Sequence, residues 1–215
     1  MVRAGNRPAN IAAPDWTTSM TFMRSLPILA TLLTAGAAMA ADEALAAADP
    51  AVAERPNLLK NPGFEEVTAR GGPAQWINKQ HAGVRAYDFS VVDDPHRSGE
   101  RSMMIRRLQK QVWGKTEQIV RVDPDLAGKT VEFEIWVRSE KVGAKGYMVR
   151  IGAFAGSALL DFVKSERFAG DGDWTRRTLQ LKVPEYTSQL VVAMTLEDEG
   201  TIWMDDARLS IVAQP

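Results

Sequence analysis

The chain has 215 residues, of which 45% are hydrophobic, so it is long enough to bury one sizeable core. Its formal net charge of −1 provides no basic field of the kind that nucleic acid requires, which argues against a nucleic-acid partner. The lack of cysteine excludes disulfides, thiolate metal sites, a cysteine nucleophile and a lipid-anchored cysteine.

The start of the chain is typical of an exported protein. An apolar run follows Arg24 and leads to a small-residue Ala-x-Ala pattern that ends at Ala40. This arrangement predicts a leader and secretory signal peptide over residues 1–40, because the run is too short for a membrane span. We expect cleavage there, a periplasmic or extracellular location and no membrane span afterwards. A translation start at Met20 or Met23 would explain the long leader, and a retained N-terminal helix is the alternative.

The folded domain is predicted to span residues 57–213. Residues 41–56 are mainly Ala, Asp, Glu and Pro with few large apolar groups, so we interpret them as a flexible linker. A sharp turn is expected at Asn61-Pro62-Gly63, which combines a residue restricted by the following proline with a permissive glycine.

After this turn, apolar and polar residues alternate at period two, the pattern of half-buried antiparallel strands. Turn-rich segments separate the alternating stretches, and helical periodicity is nearly absent. Strands are predicted over residues 86–92, 102–108, 116–122, 130–139, 146–154, 174–183, 189–196 and 201–212. Short strands in this number predict an all-β fold, an antiparallel β-sandwich of the jelly-roll type.

The outward residues of two neighbouring predicted strands suggest a ligand-binding face. In the strand over residues 130–139, alternation places Glu132, Glu134, Trp136 and Arg138 outside the core. The strand over residues 146–154 places Arg150 and Phe154 outside, and we expect the two strands to share this face. Gln189 is expected outside on a third strand.

Aromatic rings beside carboxylate, amide and guanidinium groups suit a glycan, because the rings stack on sugar CH faces while the polar groups bind hydroxyls. The candidate ligand-binding residues are therefore Trp136, Trp113, Glu132, Glu134, Arg138, Arg150, Phe154 and Gln189. Trp113 lies in a polar stretch, where an exposed platform and a buried side chain are equally compatible with the sequence.

Six short motifs in order carry a family resemblance. They are Asn57 to Glu65, Pro73 to Trp76, His96 to Met103, Gly128 to Thr130, Asp173 to Thr175 and Gly200 to Leu209. With them, the chain from Asn57 to about Val212 resembles carbohydrate-binding modules of families 4, 9 and 22. The resemblance implies a galactose-binding-domain-like jelly roll that binds a polysaccharide on its concave sheet face without catalysis. Trp76, Trp174 and Trp203 match positions that commonly serve packing.

The resemblance also implies a structural calcium that connects the first strand region to the last. The matching positions are Glu65 and Asp206, with Asp205 as a further ligand. Carboxylate oxygens are hard ligands and suit calcium. The alternative is that Asp205 and Asp206 face solvent and cap the final strand.

Two other functions are weighed against glycan binding. A glycoside hydrolase needs two carboxylates on opposite sides of the scissile bond, roughly 5–9.5 Å apart. Glu132 and Glu134 project in parallel from one strand, about 6–7 Å apart, so we expect no enzyme. A structural or protein-interaction sandwich of the cell envelope is the other alternative.

Overall fold

The computed structural model describes residues 55–212. The predicted leader, signal peptide and all but the end of the linker lie outside the described residues. Nine strands are present: β1 (Ile77–Gln80), β2 (Tyr87–Val92), β3 (Ser102–Arg107), β4 (Gly114–Arg121), β5 (Thr130–Ala155), β6 (Ala158–Lys164), β7 (Phe168–Lys182), β8 (Gln189–Leu196) and β9 (Thr201–Ile211). A 3-10 turn, Pro124–Leu126, precedes β5. The predicted all-β antiparallel fold is confirmed, and no helix within residues 55–212 has the length and apolarity of a membrane span.

The strands form two layers, and β5 contributes to both of them. Its first half pairs with β9 and β7, whereas its second half pairs with β8 and β6. We call the layer with the order β2-β3-β9-β5-β7 sheet I, and the layer with the order β1-β4-β8-β5-β6 sheet II. Strands β5 to β7 thus make one long hairpin that bends across both layers.

The bend in β5 lies between Val137 and Tyr147, where its register with β7 shifts three times. Extra residues of this kind bend a strand and increase its twist. The sequence predicts two separate strands here, over residues 130–139 and 146–154, with a turn at Gly143 to Gly146. The structure instead continues the strand through the glycines, so the two predicted strands are one. Strands β1 and β6 are not predicted from the sequence.

A single core fills the space between the sheets. The predicted inward residues are buried, among them Val131, Phe133, Ile135 and Val137 of sheet I, and Val149, Ile151, Leu190, Val192 and Leu196 of sheet II. Phe64 is fully buried and its ring lies 5.0 Å from that of Trp76. The packing role expected for Trp76 is therefore confirmed.

The segment before the first strand connects the two layers at one end. The side chain of Asn57 donates to the carbonyl of Ala207 and accepts from the N–H of Leu209, both on β9. The side chain of Gln118 on β4 pairs with both backbone groups of Lys60, at 2.8 Å each. These amide side chains take the place of strand partners, so the entry segment is held against both sheets.

Candidate functional site

The predicted binding face is divided between the two sheets. Trp136 lies on the first half of β5 and pairs with β7 and β9, whereas Arg150 lies on the second half and pairs with β8 and β6. Both halves turn their apolar side to the same core, so their outer sides face in opposite directions. The expectation that the two predicted strands share one face is wrong, because the chain crosses from one layer to the other between them.

On the outer face of sheet I, Trp136 is covered by a charged side chain. The guanidinium carbon of Arg97 lies 3.7 Å from the centroid of the Trp136 ring, and Arg97 also binds Asp206 at 2.5 Å. Arg138 is exposed and lies 5.9 Å from the centroid of the half-buried Trp203. The ring face that Arg97 occupies is not open to a sugar.

The two carboxylates predicted for this face also have protein partners. Glu134 is buried and its side chain lies 3.2 Å from Arg176 on β7. Glu132 accepts a hydrogen bond of 2.7 Å from Gln180 and lies 3.6 Å from Arg55. Both carboxylates are therefore engaged by side chains of the protein itself.

The outer face of sheet II brings together Arg150, Phe154 and Gln189. In the strand register, Arg150 is opposite Ala193 on β8 and Lys164 on β6, whereas Phe154 is opposite Gln189 and Leu159. The side-chain amide of Gln189 donates to the carbonyl of Gly156 at 2.6 Å, so it holds the β5–β6 turn.

A groove of about 190 Å³ runs over this face. Small residues on the central strands form its floor, because Gly152 lies opposite Val191 in the register and Ala193 lies opposite Arg150. An ideal Cβ at Gly152 would lie 3.0 Å from the ring of Phe154, so the glycine keeps the floor low. The side chains that line the walls are Lys115, Glu117, Arg150, Phe154, Leu159 and Phe162. We call this feature the sheet II groove.

Aromatic and aliphatic groups on one wall of the groove are open to solvent. Phe162 and Leu159, both on the edge strand β6, are 49% and 52% exposed. The half-buried Phe154 lies between them and the floor. Exposed apolar groups gathered beside charged ones mark a surface that contacts a ligand or partner.

The opposite wall contains an acidic residue held between two lysines. The carboxylate of Glu117 lies 2.6 Å from Lys79 and 2.5 Å from Lys115, and its side chain is only 5% exposed. Burial acts to raise the pKa of Glu117, but the hydrogen bonds and charges of Lys115 and Lys79 outweigh it and hold the pKa below its usual value. Glu117 is therefore an ionised anchor that fixes the two ammonium groups.

Trp113 lies at the start of β4, just outside the groove. It is half-buried, its ring packs edge-on against His81 with centroids 6.0 Å apart, and Lys115 lies 5.5 Å from its centroid. Trp113 does not line the groove, although it lies two residues before Lys115, which does.

The sequence reasoning missed most of the groove. Leu159 and Phe162 line it from a strand that was not predicted, and Lys79 and Lys164, which lie near it, are also on strands that were not predicted. Lys115 and Glu117 were accessible to the same alternation argument, because they are the outward residues beside the inward Thr116 and Gln118. The parity of Glu117 in the predicted strand over residues 116–122 was the available signal, and Lys115 precedes that strand by one residue with the same parity.

The residues predicted to bind calcium lie together but have protein partners. Glu65 accepts hydrogen bonds from the N–H groups of Glu100 and Arg101, and Asp205 accepts from those of Arg97 and Ser98. Asp206 binds the side chains of Arg97 and Ser98. The three carboxylates thus hold the loop that precedes β3 against β9. Asp205 is fully buried, so a solvent-facing cap does not describe it.

Two of these carboxylates approach one point. Oxygen atoms of Glu65 and Asp205 lie 3.9 and 3.8 Å from the position that a Cβ of Gly63 would occupy. Asp206 is directed to Arg97 instead, and within residues 55–212 no three acidic or histidine side chains form a metal-binding group. Burial raises the pKa of Asp205 above its usual value, although the N–H groups of Ser98 and Arg97 act in the opposite direction.

Comparison with known proteins shows similarity only at the level of the fold. No family model and no curated protein matches the chain. Among solved structures, the enzymatically active domain of tailspike protein 4 from bacteriophage CBA120 matches with a TM-score of 0.58 and 11% identity, over 73% of this chain and 21% of that chain.

Two carbohydrate-binding modules match over almost their whole length. TmCBM61, solved with β-1,4-galactotriose, has a TM-score of 0.50 and 17% identity, over 73% of this chain and 99% of that chain. The CBM22-1 xylan-binding domain of Paenibacillus barcinonensis Xyn10C has a TM-score of 0.50 and 15% identity, over 75% of this chain and 97% of that chain. The described domain therefore has the β-sandwich fold of carbohydrate-binding modules, and about a fifth of an enzymatically active phage domain matches the same fold.

Proposed function

We propose that this protein binds a glycan, without catalysis, in the sheet II groove. The observation that carries the proposal is the groove itself, an open depression where the exposed Phe162 and half-buried Phe154 lie beside Arg150. Aromatic faces pack on sugar CH groups, and a guanidinium donates to sugar oxygens in a fixed planar geometry. The similarity of the fold to those of two carbohydrate-binding modules supports the proposal.

The absence of catalysis is part of the proposal. Hydrolysis of a glycosidic bond requires a pair of carboxylates that flank it. Glu117 is the only carboxylate among the residues that line the groove in the described part of the chain, and two lysines already bind it. Glu132 and Glu134 lie on the other sheet and pair with Gln180 and Arg176.

The family relationship, the export of the protein and a bound calcium ion are also part of the proposal. We infer that the domain is related to families 4, 9 and 22, from the six motifs, and that the signal peptide directs it out of the cytoplasm. We also infer a calcium ion held by Glu65 and Asp205, which each have a carboxylate oxygen near Gly63, where it would stabilise the contact between the first turn and β9. Asp206 contributes to that site only if it releases Arg97.

A glycan-array screen followed by titration calorimetry tests the function. Phe162→Ala should weaken binding at least fivefold, since one wall of the groove loses its ring. Leu108→Ala is the matched control, because Leu108 is 51% exposed but follows β3 in sheet I. Failure of the purified protein to bind any polysaccharide at millimolar concentration would reject the proposal.

A protein-interaction role is the second candidate, and one observation favours it. Strand β6 pairs only with β5 in the described chain, and it exposes Leu159, Leu160 and Phe162. An edge strand with exposed apolar residues is a template for pairing with another chain. Light scattering over a range of concentrations separates the roles, because pairing through this edge predicts a dimer that Phe162→Lys dissociates.

A further inference from the structure

The outer face of sheet II carries an excess of positive charge. The strand register turns five cationic residues and one carboxylate to this side, namely Lys79, Lys115, Arg121, Arg150, Lys164 and Glu117. The whole chain has a formal net charge of −1. The positive charge is therefore concentrated on the face that contains the groove.

Most of this charge is not neutralised by neighbouring side chains. Lys79 and Lys115 share the single carboxylate of Glu117. Within residues 55–212, Arg121, Arg150 and Lys164 take part in no salt bridge. On the outer face of sheet I, by comparison, Arg106 and Arg176 pair with Asp88 and Glu134, whereas the exposed Arg138 takes part in no salt bridge among the described residues.

The cations are distributed over the whole face. Lys115 and Arg121 are six residues apart on β4, a separation of about 20 Å at the rise of an extended strand. Lys79 on β1 and Lys164 on β6 lie on the two edge strands of the five-stranded layer, also on the order of 20 Å apart. A small anion cannot reach from one end of this face to the other, whereas a polymer with a repeated charge meets several of its cations.

We propose that the glycan bound in the sheet II groove is an acidic polysaccharide built from uronic acids, an inference that rests on the proposed function. Among the described residues, Arg150 supplies the one guanidinium that lines the groove, and its planar fork matches a carboxylate. Phe154 and Phe162 contact the apolar side of the same or the next sugar ring. The cations outside the groove attract successive carboxylates along the polymer.

The test compares charged polymers with their neutral counterparts. Polygalacturonate and alginate are titrated against the purified protein, each as the free acid and after complete methyl esterification, which removes the charge and keeps the backbone. Affinity for at least one free acid should exceed that for its ester by tenfold or more and should fall as ionic strength rises. Arg150→Gln and the exposed Lys164→Gln should each weaken that binding, Arg150→Gln by about tenfold or more.

The control is Arg106→Gln, which removes an exposed cation from sheet I, as Lys164→Gln does from sheet II, and should change the affinity less than twofold. Equal binding to acid and ester, or binding to neutral glycans alone, overturns this inference and leaves the proposed function intact. Binding to no glycan of either kind overturns both. Tighter binding to single-stranded DNA than to either polyuronate also overturns the inference, because a general polyanion surface would then explain the charge.

Discussion

The guanidinium carbon of Arg97 lies 3.7 Å from the centroid of the Trp136 ring, and the same guanidinium binds Asp206 on β9. Arg97 belongs to the loop between β2 and β3, which the carboxylates of Asp205 and Glu65 hold by their hydrogen bonds to backbone N–H groups. Trp136 therefore belongs to the contacts that hold this loop against β9. The open aromatic surface lies instead on the other sheet.

Replacement of Trp136 by Ala should therefore leave glycan binding unchanged within about twofold while it lowers the free energy of unfolding. Loss of the half-buried ring and of its cation–π contact should cost about 1–3 kcal/mol. Urea denaturation and calorimetric titration of the same preparation measure the two effects. A folded Trp136→Ala protein that no longer binds glycan would place the site on sheet I.

The ion pairs of Glu117 predict a specific pH dependence of stability. The pKa of this carboxyl is lowered in the folded state, so its stabilising contribution is present above the unfolded value of about 4.3 and is lost as the pH falls through the folded value. Glu117→Gln should cost about 1–3 kcal/mol at pH 7, and the difference from the wild type should shrink as the pH falls below about 4.

Asp205 has the opposite effect on the pH dependence of stability. Its pKa is raised in the folded state, so its contribution to stability falls as the pH rises from its pKa in the unfolded chain to its pKa in the folded protein. The comparison of Glu117→Gln with wild type cancels this term. Glu185→Gln is the control, since Glu185 is exposed in the turn before β8. A pH-independent difference for Glu117→Gln would mean that its ion pairs do not form.

Addition of calcium should raise the melting temperature, and a chelator should reverse the shift. A metal that binds only the folded state at a hundred times its Kd adds about 2.7 kcal/mol, which corresponds to roughly 5–10 °C for a chain of this size. Glu65→Gln should abolish the shift, because it removes one of the two carboxylates near Gly63. Glu66→Gln, an exposed neighbour, should retain it. The same melting temperature with calcium and with chelator would reject the metal site.

The core was predictable because the central strands are half-buried, so that apolar alternation alone identifies residues such as Phe133 and Val192. The arrangement of the outer faces was not predictable in this way. Alternation tells which side of a strand faces the core, but it does not tell to which layer the strand belongs. Trp136 and Arg150 have the same parity and lie on opposite surfaces of the sandwich.

Long-range contacts from loops were also outside the reach of the sequence pattern. The position of Arg97 over Trp136 depends on the acidic residues of β9, which are more than one hundred positions away from Arg97 along the chain. Strand β6 escaped prediction because its first residues, Ala158 to Leu160, are consecutively apolar and do not alternate. The loop that carries Arg97 and strand β6 thus determine which aromatic side chains are exposed.

The crossing of β5 between the layers should depend on Gly146. Its φ is +72°, and an ideal Cβ there would lie 2.5 Å from the carbonyl oxygen of Phe168 on β7. Gly156 has a similar φ of +60°, but no atom lies within 4 Å of its Cβ position. Gly156→Ala should therefore cost only the backbone strain, about 1 kcal/mol, whereas Gly146→Ala should cost about 3 kcal/mol or more in urea denaturation. Equal costs would show that the close approach of β5 and β7 is not needed where the chain changes sheets.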